Sequence, residues 1–447
     1  MFQYVQLADL VPEDHLLRQI RRALKLEVIY EATKGCDSPN KGRPSVDPAA
    51  AFRMILLGSL DDPSEKRMCE EVAMHAGLRW FCDPDFNSSV PGRTTPVKPR
   101  RHTRGEKVFR QVMEAVARQC IEAGLVKGKA AVVDGSQVRA RAAVTSLEAI
   151  EPVRSIEEYC NRWAQEDPPQ AAAQQKPPDN DSSNGGSGTA RKAGDPDFHG
   201  ERFSNRTHRS KTDPDARLFS KGDRVGAQLS YLVHDLMDLK SGVILDTTAS
   251  RAYGALEREA ALALVDNVAK VHGGRVALRY LLMDANDTSA AFLADVLARG
   301  LEPVVPTKTL SKAAIPGPLR KRVIPVELAR SHRRHVRAAL AAQHVRNRTR
   351  PPQLARARTR IERLFAEAKE SHGLHRARGI GLQMMNIQAL LTATVQNLRR
   401  LAKTYRTAGA GEARLPSASL ACPSHWLHSL LAQVARSITQ PTFSLNF

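Results

Sequence analysis

A chain of 447 residues, 42% of them hydrophobic, has room for two or three domains and at least one sizeable core, which excludes a disordered polymer. Lys plus Arg number 67 against 47 Asp plus Glu, and the net charge of +20 favours a polyanionic partner, nucleic acid first. Six cysteines without a CxxC pair argue against a zinc knuckle or disulfide scaffold, and no run approaches the ~18 apolar residues of a membrane span. The N-terminus, MFQYVQLADLVPEDH, carries acids early and no leader pattern, so the expected setting is the reducing cytoplasm, away from membrane.

The first 125 residues read as helical, with EDHLLRQIRRALK, VDPAAAFRMILLGSL and PSEKRMCEEVAMHAGLRWF each repeating apolar residues at three- and four-residue spacing. Asp47 with Pro48, and Asp62 with Pro63, supply N-cap and first-turn pairs. The turns between the last two helices suit a helix-turn-helix or a plain bundle equally. NSSVPGRTTPVKPRRHTRG, which holds Arg100 and Arg101, lacks periodicity and reads as loop. The helix EKVFRQVMEAVARQCIEAGL follows.

Strands and helices then alternate. KAAVVD ends in Asp134, AQLSYLVHDLMD and GVILDTTAS form a hairpin turning at Leu239 to Gly242, and ALEREAALALVDNVAK is a helix. LRYLLMD ends in Asp284, TSAAFLADVLARG is a helix, LEPVVPT a strand, and a last helix follows an irregular basic zone from Lys308 to Pro352. This order makes a layered α/β domain. The expected organisation is a helical N-terminal domain over 1–126 and an α/β domain over 127–166 and 196–407. The latter is interrupted by the polar, low-complexity segment 167–195 and carries the basic insertion 308–352; a tail, 408–447, has no readable motif.

The last helix, RTRIERLFAEAKESHGLHRARG, sets Arg358, Glu362, Phe365 and Lys369 along one narrow stripe. Leu354, Ile361, Leu364, Phe365 and Ala368 form its apolar face, so Glu362 sits at the border between core and solvent. An ordinary surface ion pair would look the same. Apolar strands that run into Asp134 and Asp284 place both carboxylates at one sheet edge, where α/β active sites tend to lie. If the last helix packs there, Glu362 completes a cluster of three acids that repel one another unless a cation joins them. Hard oxygen ligands suit Mg²⁺ or Mn²⁺, and two such ions activate an attacking oxygen and stabilise a leaving one in phosphodiester cleavage. His332, His335, His372 and His375 read as solvated, DNA-facing histidines rather than metal ligands.

The order Asp, Asp, Glu on first strand, fourth strand and last helix resembles the RNase H-like DDE transposases. RTRIERLFAEAK is similar to the Tyr, Arg, Glu, Lys helix signature of one large group from bacterial insertion sequences, with Arg358, Glu362 and Lys369 at its Arg, Glu and Lys. GRPSVDPAAAFRMILLGSL, KRMCEEVAMHAGLRWFC, DFHGERFSNRTHRSKTDPDARLFSKG and HGLHRARGIGLQMMNIQALLTATVQNLRRL extend the resemblance across most of residues 1–402. It implies an RNase H-like mixed sheet flanked by helices, behind a helical domain that recognises terminal inverted repeats in DNA. It also implies metal-dependent cleavage and strand transfer by a homodimer or larger assembly on DNA, acting on target DNA as well. Asp134, Asp284 and Glu362 would hold two Mg²⁺ or Mn²⁺ ions, and Arg358 and Lys369, with Arg100 and Arg101 of the basic loop, would contact DNA. The chain departs from the family at three places: Ala355 stands where the signature has Tyr, DANDTSAA after the fourth strand is short, and residues 88–104 lack the usual motif. A DNA-binding remnant without turnover, or an RNase H-like nuclease without strand transfer, would share these features.

Overall fold

The structure, a computed structural model, describes residues 6–34, 46–82, 90–92, 100, 105–150, 204–220, 226–253, 256–284, 289–305, 326–349 and 357–408. The chain divides into two compact units, 1–403 and 404–447. Of the second, only 404–408 are described, at the end of the last helix; the fold and the site belong to the first.

Among the described residues, five α-helices follow a 3-10 turn at Leu7–Leu10: α1 (Leu16–Ala23), α2 (Leu26–Thr33), α3 (Pro48–Leu60), α4 (Glu65–Met74) and α5 (Ala76–Cys82). Asp47 caps α3 as its sequence requires, accepting from the Ala50 N–H at 2.9 Å with Pro48 next in line. The second cap differs from expectation. Ser64, not Asp62, accepts from the Arg67 N–H, because Asp62 adopts a left-handed conformation and its carboxylate pairs with Arg378. The single helix expected over 63–81 breaks at His75, whose backbone is extended and whose Nδ1 accepts the Gly77 N–H, so α5 starts anew. Helix α3 is buried on almost every side.

After α6 (Gly105–Glu122) come β1 (Ala130–Arg139), the small pair β2 (Leu147–Ala149) and β3 (His208–Ser210), then β4 (Arg217–Phe219), β5 (Gln228–Asp238) and β6 (Ile244–Arg251). Helix α7 (Leu256–His272), β7 (Tyr280–Leu282), α8 (Ala290–Ala298) and β8 (Glu302–Val304) follow, and α9 (Val326–Thr349), α10 (Arg360–Ser371) and α11 (Leu382–Ala408) end the described chain. The main sheet runs β6–β5–β1–β7–β8, with β4 also on β5. β1, β5 and β6 are antiparallel and β1, β7 and β8 parallel, the layered α/β arrangement expected from the element order and the RNase H-like mixed sheet that the resemblance implies. The β5–β6 turn forms where predicted: Asp238 accepts from the Ser241 N–H and hydroxyl at 2.9 and 2.7 Å, and Gly242 takes the positive φ.

Side-chain alternation along β1 divides the core. Ala131 and Val133 join α7, α8 and α9 on one face, while Val132 and Val138 join α6, α10, α11 and the N-terminal helices on the other. The helices of 6–82 thus share a core with the sheet. Helix α11 covers the outer edge of β6: Asn397 exchanges two hydrogen bonds with Ile244 and Asn386 accepts the Ala249 N–H at 2.6 Å.

The zone 308–352, expected to be irregular, is helical over Val326–Thr349. Its arginines hide an apolar side: Leu340 is buried in the second core, and Gln343 and Asn347 donate to the carbonyls of Pro303 and Val305, both at 2.7 Å. Residues 306–325 lie outside the described residues, as do Arg101, Leu354, Ala355 and the 167–195 segment. Among the described residues no helix is long and apolar enough to cross a membrane.

Candidate active site

The parallel register pairs Ala130 with Tyr280, Ala131 with Leu281 and Val132 with Leu282. Carried two residues further, the same register sets Asp134 beside Asp284. Neither residue ends its strand as expected. β5 pairs with β1 as far as Arg139, so Asp134 lies mid-strand, whereas β7 stops at Leu282, two residues before Asp284. The opening lies on the β7 side, where both carboxylates pass the end of the parallel ladder.

Asp134 shares its face with Val132, and α10 covers that face. Gln396 of α11 donates to the Leu364 carbonyl at 3.0 Å, Arg400 pairs with Glu367 at 3.1 Å, and the buried His372 ring nitrogen Nδ1 lies 3.0 and 3.1 Å from the carbonyls of Ser59 and Leu60. His372 is therefore a buried tie between α10 and α3 rather than a solvated residue. His335 and His375 are exposed, and the His332 side chain lies outside the described residues. Burial alone would raise the Glu367 carboxyl, but His372, Arg400 and Arg399 overcome it and bring it down to about 2. Helix α10 ends at Ser371, short of the expected Gly379, because Gly373 takes φ +69 and turns the chain back.

With α10 held in this way, Arg358 meets three acids. Its guanidinium lies 3.7 Å from Asp134, 3.8 Å from Asp284 and 3.6 Å from Glu362. Three carboxylates from distant parts of the chain share one cation, and their mutual repulsion is offset by its charge. Exposure increases from Asp134 (25%) through Asp284 (43%) to Glu362 (59%), so the cluster opens to solvent on the helix side. Lys369 is half-buried about two turns along α10 from Glu362.

The donor set is hard oxygen, as Mg²⁺ or Mn²⁺ prefers. As they stand, no three His, Cys, Asp or Glu side chains among the described residues are grouped to hold an ion; the position between the carboxylates is taken by the guanidinium. The chemistry fits a divalent cation that replaces the charge of Arg358.

Two buried acids beside the cluster escaped sequence reasoning. Asp235 pairs across the ladder with Asp134, and burial, reinforced by the charges of Asp246 and Asp134, pushes its carboxyl up to about 7. Asp246 is held by Arg110 at 3.1 Å and Asn267 at 2.8 Å. The β1–β5 register alone reveals Asp235, and no local motif marks it. Arg100 is turned inward, its side chain 10% exposed and 3.0 Å from Glu65, to which it ties its own segment ahead of α6.

Parts of the chain match known protein families. Residues 5–102 match the transposase domain family DUF772, and residues 321–402 match the transposase DDE domain. The first match spans α1 to α5, the second α9 to α11 with Glu362; Asp134 and Asp284 lie between them. Two segments of the chain thus match transposase domains, the second of the DDE class. Domains of that class generally use divalent metal ions. No curated protein matches the chain. A solved Mos1 transposase paired-end complex with left transposon end aligns over 77% of this chain and 85% of its own at 10% identity, but a TM-score of 0.18 carries no weight for fold or function.

Proposed function

We propose that this chain cleaves DNA at the ends of its insertion sequence and transfers the freed strand to target DNA, using Asp134, Asp284 and Glu362 to hold two divalent ions. The observation that supports it is the convergence of these three carboxylates on one guanidinium. Bound Mg²⁺ or Mn²⁺ would supply positive charge to the attacking and leaving oxygens of the phosphodiester. Arg358, displaced from the acids, has the bidentate fork that suits a phosphate, and Lys369 adds a point charge further along α10. Arg100, committed to Glu65, is left out of these contacts. The N-terminal helices would read the terminal inverted repeats, and a homodimer or larger assembly in the cytoplasm would hold two ends together.

The test is direct. Purified protein with Mg²⁺ or Mn²⁺ and a duplex carrying the element's own end should nick at that end and join it to target DNA. Glu362→Gln should bind the duplex with unchanged affinity and lose at least a hundredfold in cleavage rate. Binding without cleavage under either metal would leave the non-catalytic remnant as the correct reading, and cleavage without joined product would leave the nuclease.

A further inference from the structure

At the far end of β1 a cleft of about 460 Å³ lies between the α3–α4 turn and the segment after α10. Asp62, Glu65, Arg141, Arg376 and Arg378 line it. The two acids are already matched. Asp62 pairs with Arg378, which also donates to the Gly58 carbonyl at 2.6 Å, and Glu65 pairs with Arg100. Burial would raise the Glu65 carboxyl, but hydrogen bonds from its backbone N–H and from Arg100 hold it below its ordinary value, so it remains an anion committed to its partner.

Two cations are left over. Among the described residues, Arg141 gives one N–H to the Arg378 carbonyl at 2.9 Å and meets no carboxylate, and the Arg376 side chain has no hydrogen bond or ion pair. Both are exposed. Arg139, also exposed, lies alongside, because a backbone bridge joins it to Arg376 and the Ala377 N–H donates to the Arg139 carbonyl at 2.7 Å. The frame behind these arginines is stiff: Gly373, with positive φ, has the Asp62 carboxylate where a Cβ would stand, and Arg378 bridges the two walls. Exposed guanidiniums on a stiff backbone frame, without carboxylate partners among the described residues, suit phosphate oxygens, which accept bidentately.

The distance selects the occupant. β1 runs unbroken from Asp134 to Arg139, five residues at ~3.3 Å, so the arginines begin roughly 17 Å from the carboxylates. One DNA strand carries a phosphate about every 3.4 Å, and a duplex seated at the acids reaches the cleft some five phosphates along.

We propose that Arg141 and Arg376 grip the sugar-phosphate backbone of the DNA about five to seven nucleotides from the scissile bond, a second contact that joins the N-terminal helices to the catalytic sheet. This rests on the DNA-cleaving function proposed above. It is tested on the full chain, without divalent metal, by fluorescence anisotropy with a labelled duplex of about 30 base pairs carrying the element's end, over a range of salt. Arg141→Gln/Arg376→Gln alters exposed side chains only and should melt as the parent does. It should weaken binding at least tenfold at low salt and lower the slope of log affinity against log salt by about 2. Lys127→Gln/Lys129→Gln removes equal charge at the opposite end of β1 and should keep the parental slope. Sugars five to seven nucleotides from the scissile bond should lose hydroxyl-radical protection in the arginine variant alone. Unchanged affinity and slope in that variant, or an equal drop in the lysine control, would overturn the cleft contact while leaving the catalytic reading intact. Failure of the parent to bind the duplex would overturn both.

Discussion

Arg358 is the residue on which the site turns, since its guanidinium neutralises Asp134, Asp284 and Glu362 at once. Two of its partners are more than a third exposed, so solvent screens the attraction, and its contribution to stability is about 1 kcal/mol. Arg358→Gln should lower the melting temperature in chelator by a few degrees, and Mn²⁺ should restore more than it adds to the parent, because cation and guanidinium compete for the same acids. Calorimetric titration should correspondingly detect tighter Mn²⁺ binding in the variant; equal affinity would remove the competition. Glu362, Arg358 and Lys369 were legible as a spacing, and Asp134 and Asp284 as acids after apolar runs. That Arg358 bridges the acids was not legible, since no local pattern reports a contact between residues 134 and 358.

At the scale of the element, α10 is held in place by polar ties that its amphipathic pattern does not announce. Glu367 joins it to Arg400 of α11, and its carboxyl lies at about 2 against an ordinary 4.5. A lowered folded value means the carboxylate contributes fully above pH 4.5 and loses that contribution as pH falls through the window down to about 2. Glu367→Gln should cost about 1–3 kcal/mol in urea melts at pH 7 and flatten the stability profile below pH 4.5. A variant as acid-sensitive as the parent would place the pH dependence elsewhere. Helix α9 illustrates the opposite limit. AALAAQ is good helix-forming sequence, but the arginines and histidines around it obscure its periodicity, and Leu340 with Gln343 finds its role only against the β8 edge. The break at His75 was likewise hidden, because EEVAMHAGLRW keeps a helical spacing through a residue whose ring caps the next helix.

For the whole molecule, the N-terminal helices and the sheet are one packing unit: Phe52 stacks on Phe109, Cys120 of α6 approaches the Asn397 carbonyl, and His372 reaches α3. A fragment of residues 105–408 would leave the apolar sides of α6 and α10 uncovered. It should lack a cooperative thermal transition and bind a hydrophobic dye, whereas a sharp melt near the parental temperature would show the helices to be dispensable for folding. The sequence by itself determined the chain order of the strands that make the β6–β5–β1–β7–β8 path, the basic balance and the three acids as candidates, because periodicity, turn residues and residue type are local quantities. Only the tertiary structure decided that the β1–β7 register sets Asp134 beside Asp284, that Asp235 lies buried beside them, and that Arg139, Arg141 and Arg376 gather at the far end of β1. Those arrangements depend on the pairing register of β1 and the seating of α10, which are set by contacts between residues far apart in the chain.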